Sequence, residues 1–391
     1  MLEDKTSHSV PNDHEQEQRA IADSTDEAVE QALYAQRQQI YPRQVHGMFA
    51  TWRVVMVCLT LGVYYILPWI NWGEGRQAFL IDLPGRKFNL FFWTFWPQDL
   101  FYLTAILIIA ALSLFLFTAV AGRLWCGYTC PQTVWTEVFL WIERMIEGDR
   151  PKQIKLASQA WGGEKILKKG TKHLVWILFS AWTGFTFVGY FTPIRELSHS
   201  FASFSLGPWE TFWIVFYGFA TYGNAGWLRE QVCIYMCPYA RFQSAMFDRD
   251  TLIISYDQKR GEPRGSRQRS ADYKARGLGD CIDCTLCVQV CPTGIDIRNG
   301  LQYQCIACGA CIDACDSVME KMEYAPGLIR YTTENELAGE DRHVLRPRVL
   351  VYALLLAAIA LALVVAVLLR TPLELDIIRD RNVLYRPTVE G

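Results

Sequence analysis

The sequence lacks features that would point to several common classes of protein. Its 391 residues carry a formal net charge of only -2, so bulk charge predicts no nucleic-acid partner. No glycine-rich dinucleotide fingerprint follows a predicted strand, which argues against direct binding of NAD(P)H or flavin. No cleavable signal peptide is visible. Residues 1–47 contain no apolar run and hold nine Asp/Glu and four Lys/Arg, so they are predicted to form a mostly disordered cytoplasmic tail.

Apolar runs are abundant after this tail. Hydrophobic residues make up 51% of the chain and aromatic residues 14%. A helix that spans a bilayer needs about 20 apolar residues, and five spans are predicted, at 54–70, 100–120, 174–194, 209–228 and 349–369. The third and fourth contain Gly, Ser, Thr and Asn, which suits helices packed inside a bundle. The stretch 88–96 is too short to cross and is interpreted as an interfacial aromatic belt.

The loops between these spans differ in positive charge. Residues 122–172 carry nine Lys/Arg and residues 229–348 carry sixteen, whereas the loops 71–98 and 193–208 carry three and one. The positive-inside rule therefore places the two basic loops in the cytoplasm. Five spans then put the C-terminal residues on the outer side of the membrane.

Cysteines are clustered along the chain. Eight of the 13 fall within residues 281–315, and four more form two close pairs. This distribution indicates metal ligands rather than disulfides, and thiolate ligands need a reducing compartment. Both cysteine-bearing loops are the ones that the charge pattern places in the cytoplasm, so the two arguments agree.

Residues 281–315 contain two ferredoxin motifs in succession. The first reads Cys-x-x-Cys-x-x-Cys-x-x-x-Cys-Pro, and the second repeats it with Asp316 in place of the proline. In bacterial ferredoxins three closely spaced cysteines bind one cluster and the fourth ligates the other. A pair of zinc knuckles is disfavoured, because structural zinc takes two pairs of ligands per ion. The expected ligands are Cys281, Cys284, Cys287 and Cys315 for one [4Fe-4S] cluster, and Cys291, Cys305, Cys308 and Cys311 for the other.

A second repeated pattern follows the second and fourth predicted spans. Each copy has an Arg and then Cys-x-x-x-Cys-Pro, with Cys126 and Cys130 in the first and Cys233 and Cys237 in the second. Residues i and i+4 face the same way on a helix, so each pair could hold one soft ion. The proline after the second cysteine predicts a helix start or break there. Thiolates favour Cu(I), zinc and iron–sulfur centres. A single such pair is more often two buried small side chains, but two copies at matching depth favour a metal site.

Longer strings around these motifs resemble the cytochrome c oxidase accessory protein CcoG family, also called FixG or RdxA. The matching stretches are 122–135, 229–243, 256–257, 260–265 and 291–298. The resemblance implies a multi-pass protein of the bacterial inner (cytoplasmic) membrane that reduces Cu(II) to Cu(I) for assembly of the cbb-type oxidase. It implies that Cys126, Cys130, Cys233 and Cys237 are the catalytic copper site, fed by the eight ferredoxin cysteines. Implied partners are copper-handling proteins and the oxidase assembly machinery, together with an unidentified electron donor.

The expected architecture is an α-helical membrane bundle of about five transmembrane helices, with an inserted cytoplasmic 2[4Fe-4S] ferredoxin-like α+β domain of bacterial type. Family members usually continue after the last span into an immunoglobulin-like domain, whereas 21 residues follow Arg370 here, which indicates a truncated or short variant. The expected segments are the tail 1–47, a four-helix membrane domain 48–248, the ferredoxin domain 249–347, the fifth helix 348–370 and a periplasmic tail 371–391.

The sequence is compatible with three functions. The first is a cupric reductase for oxidase assembly, an oxidoreductase. The second is an electron-transfer subunit that takes electrons from quinol, as in the NapH and NosR relatives. The third is a non-catalytic assembly factor that binds copper. The strings around Arg260 and Trp125 favour the first, and whether the four thiolates form one copper site or two is left open.

Overall fold

The computed structural model describes residues 39–73, 75–270 and 272–370. The predicted tail at 371–391, and residues 1–38 of the predicted N-terminal tail, lie outside these ranges. The helices are α1 (Met48–Ile66), α2 (Leu100–Ala121), α3 (Leu124–Tyr128), α4 (Pro131–Glu147), α5 (Arg150–Ser158), α6 (Gly163–Val188), α7 (Ile194–Ala202), α8 (Pro208–Thr221), α9 (Pro238–Ala245), α10 (Gln258–Gly261), α11 (Leu286–Gln289), α12 (Ala310–Met322), α13 (Glu334–Ala338) and α14 (Pro347–Leu368). The strands are β1 (Asn71–Trp72), β2 (Arg76–Gln77), β3 (Phe79–Asp82), β4 (Lys87–Leu90), β5 (Trp93–Phe95), β6 (Ile253–Tyr256) and β7 (Ile329–Thr332).

Three helical stretches among the described residues are long and apolar enough to cross a membrane. They are Met48–Trp69, Pro97–Ala121 and Pro347–Leu368, and they correspond to the first, second and fifth predicted spans. Many of their large apolar side chains are exposed on the protein surface, as expected of helices that face lipid. The protein is therefore a membrane protein.

The third and fourth predicted spans correspond to α6 and to α8. The first ten residues of α6 include four lysines, and α8 has only 14 residues before the backbone becomes π-helical at Tyr222–Leu228. That both cross the membrane stays a prediction. The two helices pack closely, because a Cβ on Gly184 of α6 would collide with the backbone of Ile214 and Gly218 in α8, and glycine permits such an approach.

The stretch 88–96, interpreted from the sequence as an aromatic belt, lies in a three-stranded antiparallel sheet of β3, β4 and β5. Phe79 pairs with Leu90, and Phe88 pairs with Phe95. A backbone hydrogen bond from Ile81 N–H to the carbonyl oxygen of Tyr190, 2.8 Å long, ties the sheet to the end of α6. Several aromatic side chains of the sheet region are exposed, so the same residues that suggested a belt also form strands.

The cysteine-rich domain is α+β, in line with the sequence. Strands β6 and β7 pair antiparallel, with Ile253 opposite Thr332, and α12 carries the last two ferredoxin cysteines. The core beneath the strands contains Ile254, Ile329 and Met319, all nearly fully buried, packed around the cysteine loops. Most of the domain's thiols thus belong to or pack against one apolar core, and Cys308 belongs to a second buried cluster.

The cysteine-rich domain contacts the start of the first membrane helix directly. The N–H groups of Phe49 and Ala50 donate to the carboxylate of Asp313 in α12, at 3.2 and 2.7 Å. A carboxylate satisfies free N–H groups at a helix start and is favoured by the helix dipole. Before α1 the chain has no regular secondary structure, and Arg43 N–H donates to the carbonyl oxygen of Gln289 at 2.8 Å. These contacts set the distance between the ferredoxin-like domain and the bundle.

Candidate iron–sulfur and copper site

The eight ferredoxin cysteines line two adjacent cavities. Cys281, Cys284, Cys287 and Cys315 line the first cavity. Cys291, Cys305, Cys308 and Cys311 line the second, which Cys287 also touches. The fourth cysteine of each motif therefore lies with the first three of the other motif, as the interlocking pattern predicts.

Tight left-handed turns bring the closely spaced cysteines together. Asp283 and Thr285 have φ of 55° and 56° in the first loop, and Ala307 has φ of 53° in the second. Such residues are uncommon outside glycine and occur where surrounding structure holds them. The N–H of Ala307 points to Cys305 Sγ at 3.4 Å, the kind of backbone donor that tunes cluster potential.

The donor set in each cavity fits a [4Fe-4S] cluster. Each cavity offers four thiols, and apolar side chains such as Ile254, Ile297 and Leu328 surround them. Burial raises the pKa of Cys305 and of Cys315 to about 12, because an isolated thiolate is costly in apolar surroundings. Cationic iron offsets that cost and suits sulfur ligands. Among the described residues no three His, Cys, Asp or Glu side chains form a ready single-ion site, so the assignment rests on the cavity linings.

The paired cysteines each lie across a junction between two helical segments. Cys126 is in α3, and Cys130 directly precedes α4, which starts at Pro131. Cys233 lies in a π-helical turn, Val232–Met236, and Cys237 directly precedes α9, which starts at Pro238. The predicted helix start at each proline is confirmed. The expectation that each pair shares one helix face is wrong, because the helix ends between the two cysteines.

The four paired cysteines lie within electrostatic reach of one another. Burial chiefly raises the pKa of Cys126 to about 11, and negative charge on Cys130 and Cys237 adds to the effect. Burial likewise raises the pKa of Cys233 to about 12, and the other three paired cysteines contribute. The fold therefore brings both copies of the motif, more than 100 residues apart in sequence, near each other. Within the described part of the chain, no three of these thiols lie close enough together to form a ready metal site.

One of the four paired thiols, Cys126, lies beside the second cluster cavity. Cys126 packs against a buried cluster that contains Ile306 and Cys308. A Cβ on Gly127 would lie 2.8 Å from the carbonyl oxygens of Ile306 and Ala307 and 2.9 Å from Cys308 Cα. Helix α3 can approach the cysteine loop this closely only because residue 127 has no side chain.

Three polar side chains hold the contact between α3 and the cysteine loop. Arg123 donates from Nη1 to the carbonyl oxygens of Tyr303 and Cys305, and Tyr128 Oη donates to that of Cys308 at 3.3 Å. Gln243 is fully buried, and its Oε1 accepts hydrogen bonds from Arg123 Nε at 3.1 Å and from Cys126 Sγ at 3.3 Å. Charged and buried hydrogen bonds of this kind are costly to break.

Sequence reasoning did not identify Gly127, Tyr128 or Gln243 as site residues. All three lie within the stretches around the paired motifs that resemble the family. The arginine before each cysteine pair was the nearest sequence feature that pointed to them. Their roles depend on residues about 120 to 180 positions away, which no local pattern reports.

We expect Gly127→Ala to destabilise the second cluster cavity. The new Cβ would force the loop 306–308 to shift, and overpacking of this kind costs about 1–3 kcal/mol. Gly170→Ala is the matched control, because a Cβ there meets nothing within 4 Å and alanine favours a helix. Thermal unfolding and the iron retained after gel filtration measure both variants. Equal unfolding temperatures and iron contents in the two would contradict the close contact.

Two family models match this chain. A 4Fe-4S dicluster domain matches residues 228–334, and a 4Fe-4S binding domain matches residues 103–147. The first region contains both Cys233 and Cys237 and all eight ferredoxin cysteines, and the second contains Cys126 and Cys130. No solved structure matches the chain significantly.

Curated relatives are similar over most of the chain. Protein RdxA of Cereibacter sphaeroides is 43% identical over 374 residues, which cover 92% of this chain and 78% of RdxA. The nitrogen fixation protein FixG of Rhizobium meliloti is 40% identical, with 90% of this chain and 74% of FixG covered. The ferredoxin-type protein NapH of Haemophilus influenzae is 23% identical, with 60% of this chain and 71% of NapH covered.

Proposed function

The chain belongs to the FixG/RdxA family of iron–sulfur membrane proteins, and on this premise we propose that it reduces Cu(II) to Cu(I) at Cys126, Cys130, Cys233 and Cys237. We further propose that the reduced copper serves assembly of a cbb-type cytochrome c oxidase. The observation that carries the proposal is the contact of α3 with the loop 306–308, where Cys126 packs beside Cys308 of the second cluster cavity.

The ferredoxin-like domain supplies the electrons. When bound in the two cavities, [4Fe-4S] clusters store and release single electrons. Arg123 and Tyr128 hold the second cysteine loop against α3 through its carbonyl oxygens. Gln243 links Cys126 to the same arginine. These residues fix the separation between donor and acceptor, which is the protein's main contribution to an electron transfer.

The paired thiols suit copper as the substrate. Cu(II) prefers nitrogen and oxygen ligands in a tetragonal arrangement, whereas sulfur ligands favour Cu(I). A site of two or more thiolates therefore stabilises the reduced product. Each Cu(II) takes up one electron, and each cysteine that binds copper releases its proton. Because the electron comes from elsewhere, the cysteines need not be oxidised to a disulfide.

Orientation and partners follow from the same proposal. We place residues 122–172 and 229–348 on the cytoplasmic side of a bacterial inner membrane, as the positive-inside rule favours. The copper site is then accessible to copper-handling proteins on that side, and the oxidase assembly machinery would receive Cu(I).

A single-turnover experiment tests the proposal. Purified protein is reduced with dithionite, freed of excess reductant under anaerobic conditions, and mixed with Cu(II) and a chromogenic Cu(I) chelator. We expect the amount of Cu(I) formed to match the extent of cluster oxidation, followed by visible absorbance, because each cluster electron reduces one copper ion. If copper binds while the clusters stay reduced, the protein is a copper-binding factor or passes its electrons to another acceptor.

A further inference from the structure

A third cavity lies within the helical bundle, away from the ferredoxin cysteines. It has a volume of about 300 Å³, is partly open, and is lined by α1, α4, α6, α8 and the start of the π-helical segment after α8. We call it the bundle cavity and define it by Tyr64, Gln132, Trp135, Phe187, Tyr217 and Asn224, which line it. Its size lies at the lower end of the range for small-molecule sites, and such sites are commonly found between helices of bundles.

Aromatic rings form the walls of the bundle cavity. The rings of Tyr64 and Trp135 meet edge to face, with centroids 5.2 Å apart. Those of Phe187 and Tyr217 are tilted by 37°, with centroids 3.8 Å apart. Walls of this kind favour a flat, ring-shaped ligand, because aromatic pairs gain energy from offset and edge-to-face contacts.

Polar groups of Asn224 and Tyr217 at the bundle cavity have no partner among the described residues. Neither the side-chain amide of Asn224 nor the hydroxyl of Tyr217 hydrogen-bonds to any described residue. Gln132 differs, because its Nε2 donates to the carbonyl oxygens of Asn224 at 2.8 Å and Arg229 at 3.1 Å. A ligand with oxygen atoms on its ring could satisfy Asn224 and Tyr217, whereas a lipid acyl chain would leave both unpaired at a cost.

The backbone at Asn224 is also unusual. The segment Tyr222–Leu228 is π-helical, and the N–H of Arg229 donates to the carbonyl oxygen of Asn224, five residues earlier, at 2.8 Å. Isolated π-helical turns inside α-helical segments are rare and frequently mark functional sites. Here the wider turn places the Asn224 side chain at the edge of the cavity.

The position of the bundle cavity favours a ligand from the bilayer. Tyr64 belongs to a helix that is apolar enough to cross the membrane. On α8, Trp209, Phe216 and Phe219 are exposed, Phe219 to 73%, which suits contact with lipid. Pro131, next to Cys130, lines the cavity, while Gly127 contacts the second cluster cavity. Residues 127–131 therefore lie between the bundle cavity and the second cluster cavity.

We propose that the bundle cavity binds the ring of a lipid-soluble hydroquinone, and that this hydroquinone is the electron donor for copper reduction. The donor role rests on the proposed function, whereas the binding does not. Each hydroquinone loses two electrons and two protons and becomes a quinone. Two Cu(II) ions take the electrons and become two Cu(I) ions, and the protons pass to water.

Binding is tested without copper, by calorimetric titration of the oxidised, cluster-containing protein with decylubiquinone. We expect saturable binding to the wild type. Ala220→Phe fills the cavity from α8, and Asn224→Leu removes the free amide, so both should raise the dissociation constant at least about tenfold, equivalent to about 1.4 kcal/mol. Ala111→Phe, at an exposed position of α2, adds the same side chain elsewhere and should bind as the wild type does.

The outcomes separate this inference from the copper proposal. Absence of saturable binding in the wild type overturns the cavity assignment, as does wild-type affinity in both cavity variants. Cluster absorbance shows that each variant is folded. Copper reduction by dithionite-reduced wild type needs no hydroquinone, so its failure would remove the copper proposal and leave the binding result standing.

Discussion

Cys130→Ser and Cys237→Ser are each expected to keep both iron–sulfur clusters and to lower Cu(II) reduction by about 100-fold or more. Loss of even a supporting contact costs up to about 100-fold in metal affinity or activity, and here a ligand itself is removed. A serine hydroxyl is a poor ligand for Cu(I). Neither cysteine lines a cluster cavity, so the ferredoxin-like domain should assemble normally.

The measurement combines iron and labile-sulfide content with the single-turnover copper assay. Cys58→Ser is the matched control, because Cys58 is an exposed, lone cysteine in α1. It should reduce copper as fast as the wild type. Loss of the clusters from Cys130→Ser or Cys237→Ser would instead assign the paired cysteines a role in folding.

Cys308→Ser and Cys284→Ser are expected to lose one cluster each, with iron content falling by about half. Each removes one of the four thiols that line a cavity, and a cubane needs four ligands. Cys308→Ser should also abolish copper reduction, because Cys308 packs in the same buried cluster as Cys126. Electron paramagnetic resonance of the reduced protein distinguishes the remaining cluster.

The same two variants separate an enzyme from a non-catalytic copper carrier. A carrier needs only the four paired thiols, so copper loading of the oxidase should survive the loss of either cluster. If both copper reduction and oxidase copper loading persist in Cys284→Ser and Cys308→Ser, the reductase proposal fails.

Likeness to NapH supports electron transfer but identifies neither the donor nor the acceptor. NapH shares 23% identity across 60% of this chain, and electron transfer through iron–sulfur clusters is the property that the shared motifs support. A hydroquinone donor and a copper acceptor are compatible, because one releases electrons and the other takes them up. The bundle cavity is lined by side chains other than the four paired thiols, so each can be tested without the other.

The cysteine motifs show how far local spacing reaches. The repeated spacing predicts that the fourth cysteine of each motif lies with the first three cysteines of the other motif. Cys315 lines the first cluster cavity and Cys291 lines the second, as predicted. The proline after each pair predicts a helix start, and α4 and α9 start there. The same reasoning placed each pair on one helix face, which is wrong because the helix ends before the second cysteine.

The apolar runs of the sequence, like the cysteine spacing, predict local structure but not packing. The three strongest runs form helices long enough to cross a membrane. The two weaker runs form α6, which begins with several lysines, and α8, which continues into a π-helical segment. Their contact through Gly184 and Gly218 cannot be read from hydropathy, because hydropathy reports only the preference of each residue for lipid.

By itself the sequence determined the two sets of cluster cysteines, the strongest membrane helices and the helix starts after the paired motifs, because spacing and hydrophobicity act over a few residues along the chain. Only the tertiary structure decided that Cys126 packs beside the second cluster cavity, that Gly127 allows this approach, and that four helices line an aromatic cavity next to Cys130. Those features come from segments far apart in sequence, and close packing of side chains and backbone, rather than local preference, sets their distances.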